Sequence, residues 1–169
     1  MLRKKGRKLS PDEIKSEVIQ TLIANMRYTS EQEDYGVGIA AAQVGEDIAL
    51  SLIAIKPTPN RPELKRFETV IINPEITETY GEKEAMWEGC MSCGSGDNIL
   101  YAQVPRYTSI KLKWLDEHGD QHEEVLEGFT AHVAQHETDH TNGVMFLDRV
   151  EDTSTYMMAD EFRQRISKK

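Results

Sequence analysis

Gly128-Phe129-Thr130-Ala131-His132-Val133-Ala134-Gln135-His136-Glu137-Thr138-Asp139-His140-Thr141-Asn142-Gly143 is the stretch on which the reading of this chain turns. Its spacing predicts a helix that starts at Gly128 and stops at Asn142-Gly143, a favourable C-terminal pair. On such a helix His136 and His140 project from one face, one turn apart. Two imidazoles so placed can share a zinc-like or ferrous ion, and Glu137 between them can take a proton from water held there. A surface helix with two solvated histidines is the bland alternative. Ala131-His132 sets a third imidazole one further turn back. Each turn rises about 5.4 Å, so three histidines on one straight helix cannot converge on one ion. His132 is therefore expected to be a polar residue lining a cleft or the helix surface, not a ligand.

A catalytic site of this type takes three protein ligands and keeps one position open. Glu88-Gly89-Cys90-Met91-Ser92 offers the third in Cys90, which follows a glycine at the end of a predicted strand. A thiolate suits a borderline-soft ion, although an ordinary buried cysteine is the competing reading. The chain has only two cysteines, Cys90 and Cys93. They make no disulfide framework, which fits a reducing compartment. Two rival uses of the same residues stay open: a zinc peptidase with Asp148 or Glu151 as third ligand, and a closed structural site of Cys90, Cys93, His136 and His140.

Outward from these motifs, apolar residues predict an N-terminal helix from Pro11 through Tyr28, with Ser10 as N-cap. One stripe is Ile14, Val18 and Leu22; an adjoining one is Ile19, Ile23 and Met26. Glu31 to Tyr35 reads as a polar loop, and the small residues from Gly36 to Gly45 suit a close backbone approach. Strands are expected over Ile48 to Ile55, Val70 to Asn73 (closed by Pro74), Glu84 to Trp87 and Ser109 to Trp114, with a hairpin turn at His118-Gly119-Asp120. The expected fold is α+β: antiparallel strands packed around the late motif-bearing helix, with an N-terminal helix. The 169 residues suit a single catalytic domain, 1–169. Residues 1–9, with the basic run Arg3 to Lys8, are expected as a flexible tail and 155–169 as a short C-terminal helix, running over Thr155 to Ile166. A net charge of −9 argues against direct nucleic-acid binding. No apolar run approaches the roughly 20 residues of a membrane span, so no membrane is expected.

Three segments in order now resemble the signature of the peptide deformylase family: Gly36-Val37-Gly38-Ile39-Ala40-Ala41-Ala42-Gln43, Glu88-Gly89-Cys90-Met91-Ser92, and Gln135-His136-Glu137-Thr138-Asp139-His140. Smaller echoes are Ile72-Asn73-Pro74-Glu75-Ile76, Val104-Pro105-Arg106 and Gly143 to Asp148. The resemblance implies hydrolysis of the N-formyl group from N-formylmethionine at the start of nascent polypeptides, releasing formate. It implies one divalent metal ion on Cys90, His136 and His140, with Fe2+ the family's usual ion in the cell and Zn2+, Ni2+ or Co2+ as options. Glu137 is then general base and acid, and the Gln43 side-chain amide and Met91 backbone N–H stabilise charge on the formyl oxygen. Gly38 holds substrate backbone; Val37, Phe129, His132 and Val133 form the methionine pocket; Glu88 pairs with Arg106 and holds the cysteine loop. The partners it implies are N-formylmethionyl nascent peptides, with the ribosome as a further option. Nothing in the sequence argues against a monomer, and the expected place is the cytoplasm of a bacterium or of a virus-infected bacterial host, with an organelle as another option.

Departures from the family pattern are Met91 and Thr141 where leucines are usual, and Ala42 where proline is. Cys93-Gly94-Ser95-Gly96-Asp97-Asn98 replaces a shorter segment, from which a remodelled cleft rim is expected. Cys93 is expected to be structural, and His132 in the pocket to alter the preference for the residue that follows the formyl group. The unfamiliar N-terminus and the short tail after Asp148 suggest a compact variant.

Overall fold

The computed structural model describes residues 1–32, 36–58 and 61–166. The N-terminal helix is broken into α1 (Pro11–Ile14) and α2 (Glu17–Gln32). The break has a local cause. Ser16 Oγ donates to the Glu13 carbonyl at 2.6 Å, and Gln20 Nε2 donates to the Ile14 carbonyl at 2.8 Å, so side chains end α1 where its ladder would have continued. The stripe Ile19, Ile23 and Met26 is buried with Ile14, while Val18 is 76 % exposed, which corrects the other stripe. Of the loop expected over Glu31 to Tyr35, Glu31 and Gln32 finish α2, and the rest lies outside the described residues.

The sheet is antiparallel throughout: β1 (Gly38–Ala40), β2 (Leu50–Ile55), β3 (Phe67–Gly89), β4 (Leu100–Leu115) and β5 (Gln121–Glu127) in sequential order, with β6 (Met157–Met158) on the start of β4. Two expected strands, Val70 to Asn73 and Glu84 to Trp87, are halves of β3. Pro74 does not close it, because Pro74 sits in a register shift between Ile72 and Glu75 where no ladder donor is required. Asn73 turns the corner at φ 53, its N–H donating to the Ala49 carbonyl. The turn at His118-Gly119-Asp120 forms, Gly119 N–H donating to the Asp116 carbonyl. It leads into β5, a strand that sequence periodicity misses because only Leu126 of its seven residues is buried.

Every residue of β2 is buried because helices cover both of its faces. Leu50, Leu52 and Ala54 pack with Ile19, Ile23 and Met26 of α2 on one side. Ile53 and Ile55 pack with Ile71, Ile110, Leu112 and with Ala131, Val133 and Ala134 of α3 (Gly128–Thr141) on the other. The motif-bearing helix is thus the centre of the second core. Gly143 at φ 72 stops it, and Val144 N–H closes back on the Asp139 carbonyl at 2.9 Å.

Residues 1–9 are not a solvated tail. Arg7 pairs with Ile48 as a parallel bridge, Gly6 N–H donates to the Thr141 carbonyl at 2.9 Å, and Leu9 is buried with the Asn73 side-chain amide bridging its N–H and carbonyl. A Cβ on Gly6 would stand 2.6 Å from the Ile48 carbonyl carbon, so glycine is what admits this strap to the sheet edge. The last helix, α4 (Ala159–Arg165), starts later than expected. Thr153–Thr155 form a 3-10 turn capped by Asp152, and Met157–Met158 are drawn into the sheet.

Candidate metal centre

Cys90 emerges from the end of β3 and opens the 3-10 turn Met91–Cys93, directly above α3. One helical turn brings the His136 and His140 rings edge to face at 4.8 Å between centroids. One donor atom each from Cys90, His136 and His140 lie within 4.8 Å of one another, with Cys90 Sγ 3.3 Å from His140 Nε2. His136 Nδ1 lies 2.7 Å from Glu88 Oε2, which leaves its Nε2 for the cluster. Burial alone would raise the Cys90 thiol, but His136 and His140 bring it down to about 5. Burial alone would lower His136, but Cys90 and Glu88 hold it up at about 10. A thiolate and two imidazoles brought this close form a soft-to-borderline donor set for a divalent cation, which binds them in place of their protons.

Behind Cys90, His136 and His140 lies an ionic chain, buried from Glu88 through Arg106 to Asp139. Arg106 Nε and Nη2 both donate to the Glu88 carboxylate, the latter at 3.1 Å, and Nη1 donates to Asp139 Oδ2 at 2.8 Å. Arg149 donates to both Asp139 oxygens, at 2.6 and 3.0 Å. Burial would push Glu88 up, yet His132, His136 and Arg106 hold it far below the usual carboxylate range. His132 Nε2 lies 2.6 Å from Glu88 Oε1, off the angle of a well-aligned hydrogen bond, and His132 is not in the ligand cluster.

Glu137 is buried in the same place, its Oε2 unpartnered among the described residues. Burial raises its pKa, and the two neighbouring histidines only partly oppose this. Gly38 on β1 lies against it so closely that a Cβ there would overlap Glu137 Oε1. Gln43, in the 3-10 turn Ala41–Val44, accepts the Ala40 N–H through Oε1 at 2.8 Å. That fixes the amide, whose Nε2 donates to Ser92 Oγ at 3.1 Å and points at Cys90 Sγ at 3.6 Å. Val37, Gly38, Met91, Phe129, His132 and Val133 line one cleft of about 550 Å3 together with Cys90, His136, Glu137 and Gln43.

The other proposed ligands stand elsewhere. Cys93 is outside the donor cluster, its thiol pushed up to about 11 by burial and by Cys90. Asp148 accepts the Met145 N–H and pairs with Arg3; Glu151 is exposed and lies near Lys83. Thr141, in place of apolar volume, returns its hydroxyl to the Thr138 carbonyl at 2.8 Å. Sequence reasoning did not single out Ser92, which meets Gln43, Asp139, which meets Arg106, or Trp87, Tyr101, Phe162 and Ile166, which line the same cleft. Ser92 and Asp139 lie inside the motifs and could have been found there. The aromatic residues converge only through long-range folding and carry no local signal.

A family model described as polypeptide deformylase matches residues 1–156. Peptide deformylase 2 of Nostoc sp. is 34 % identical over 158 residues, covering 93 % of this chain and 86 % of that protein. Peptide deformylase of Leptospira biflexa is 34 % identical over 160 residues, covering 92 % and 86 %. Among solved structures, the Met-Ala-Ser-bound class I type b peptide deformylase of Acinetobacter baumannii matches with a TM-score of 0.79 at 34 % identity, over 88 % of this chain and 91 % of that one. The Thermotoga maritima peptide deformylase matches with a TM-score of 0.74 at 33 % identity, over 89 % and 91 %.

Proposed function

This chain belongs to the peptide deformylase family, metal-dependent hydrolases that remove the N-formyl group from nascent polypeptides, and from that premise we propose that Cys90, His136 and His140 hold its metal ion and Glu137 moves its protons. One observation carries the reading: a thiol and two imidazoles converge within 4.8 Å beside a buried, unpartnered carboxylate oxygen. The donor set fits zinc or ferrous iron, and we favour iron in the cell. A cation there supplies a Lewis acid and lowers the pKa of water.

The chain's own groups do the rest. Glu137 takes a proton from the water that attacks the formyl carbon. As the C–N bond breaks, it returns that proton to the methionine nitrogen, leaving formate and a free amine. A carboxylate raised by burial is suited to both transfers. Gln43 Nε2 and the Met91 N–H donate to the growing charge on the formyl oxygen. Glu88, fixed by Arg106, holds the His136 ring in one tautomer. Gly38 takes substrate backbone, and Val37, Phe129, His132 and Val133 surround the methionine side chain. We read the chain as one catalytic domain, monomeric, acting in a bacterial cytoplasm on chains leaving the ribosome. The relatives named above are bacterial, and among the described residues no helix is long and apolar enough to cross a membrane.

The test is formate release from N-formyl-Met-Ala-Ser by anaerobically purified protein of known metal content. Glu137→Gln keeps the metal and lowers turnover by about 10²-fold or more. Undiminished turnover in that variant would remove Glu137 from the mechanism. No release from metal-loaded protein would remove the reaction.

A further inference from the structure

The family match stops at residue 156, but the cleft does not. β6 and α4 lie beyond that point. Met157 and Met158 pair with Tyr101 and Leu100, Ala159 N–H donates to the Ile99 carbonyl at 2.9 Å, and Arg163 pairs with Asp97 of the Gly-rich segment. This anchoring sets Phe162 flat against Tyr101, 4.2 Å between centroids at 8°, and edge-on to Trp87 at 5.5 Å. Tyr101 in turn covers the backbone next to a proposed ligand: a Cβ on Gly89 would stand 2.5 Å from its ring. All three rings, with Ile166, are only half-buried, and all line the same cleft as Cys90, His136 and Glu137.

We propose that β6–α4 gives this chain a second apolar subsite, in which Phe162, Trp87, Tyr101 and Ile166 receive an aromatic side chain of the peptide just downstream of formyl-methionine. The inference rests on the cleft being the deformylase site. A cleft of about 550 Å3 holds more than one side chain. An extended peptide advances about 3.3–3.6 Å per residue, so a chain with its formyl carbon at the metal centre must run on along the cleft wall. One side of that wall carries Trp87, Tyr101 and Phe162, and ring-on-ring contact at half-exposed aromatics favours another aromatic group over alanine.

The experiment compares N-formyl-Met-Ala-Ser with N-formyl-Met-Phe-Ser and N-formyl-Met-Ala-Phe by kcat/KM. In parallel it compares the affinities of the three deformylated peptides for metal-loaded protein by calorimetry. One phenylalanine peptide is expected to be favoured about tenfold in both measurements. That ratio should fall to about twofold in Phe162→Ala and drop in Ile166→Ala, while Phe162→Trp keeps it. Equal affinities in the unaltered protein, or a preference that survives Phe162→Ala, overturn the subsite. A uniform rise for all peptides in Phe162→Ala also overturns it, marking α4 as a cover instead. If no peptide releases formate, the reaction reading fails on its own, and the binding ratios still decide the subsite.

Discussion

Gly38 illustrates what a single residue contributes here. In the sequence it is one of several small residues suited to a close approach. The structure supplies the partner, the Glu137 carboxylate, which fills the space a side chain would take. Its neighbour Ala40 then anchors Gln43 through a backbone N–H. The first motif therefore positions both groups proposed to act on the formyl group, Glu137 and Gln43, while contributing few side chains of its own. Gly38→Ala tests this. The added methyl meets the far end of a movable side chain, so the fold is expected to persist and the carboxylate to shift. A displacement near 1 Å costs on the order of 10²-fold in rate. The expected result is a fall of that size in kcat with metal content unchanged and Tm nearly so. Full activity in the variant would mean that Glu137 works from another position.

At the level of elements, the chemistry was more legible than the chain's path. The motif helix could be read because its signals, the histidine spacing and the Asn142-Gly143 stop, are local. β3 was read as two strands because Pro74 is a breaker by every local rule, and only the bulge with Asn73 shows how the strand passes it. The strap at residues 1–9 carries no local signal of its order, because its partners Ile48, Asn73 and Thr141 are distant in sequence. The strap also meets the segment after α3, since a Cβ on Gly143 would stand 2.7 Å from the Lys4 carbonyl carbon and Arg3 pairs with Asp148. The Met145 N–H, then Arg3, hold the Asp148 carboxyl below its ordinary value of 3.8. A depressed carboxylate adds stability above its unfolded pKa and loses it as pH falls through the folded one. Asp148→Ala should therefore lower Tm by about 3 °C at neutral pH, with the gap closing in acid. A gap that stays constant with pH would show that the carboxylate charge plays no part in the joint.

For the whole molecule, the proposed ligands belong to two bodies of structure. Cys90 hangs from the long β3–β4 hairpin, and His136 and His140 sit in the central helix. The core beneath Cys90 is a separate apolar cluster of Ala102, Val104 and Phe146. A cation bound by all three ligands would cross-link hairpin and helix, so its binding energy adds to the stability of the entire fold. At free metal near 1,000 times Kd, linkage gives roughly 4 kcal/mol, or about 10 °C in Tm for a domain of this size. Chelation of the loaded protein should remove that increment reversibly. Cys90→Ser should lack most of it from the start, whereas Cys93→Ser, whose thiol stands outside the donor cluster, should keep it. The two cysteines stand three residues apart at the ends of one short turn, and each serine variant makes the same one-atom change, so the pair separates loss of a metal donor from a change made anywhere in that turn. Equal loss in both would close the coordination sphere with a second thiolate and turn the site into a structural one. Loss in Cys90→Ser alone leaves the fourth position open, which is what hydrolysis of a formyl group requires.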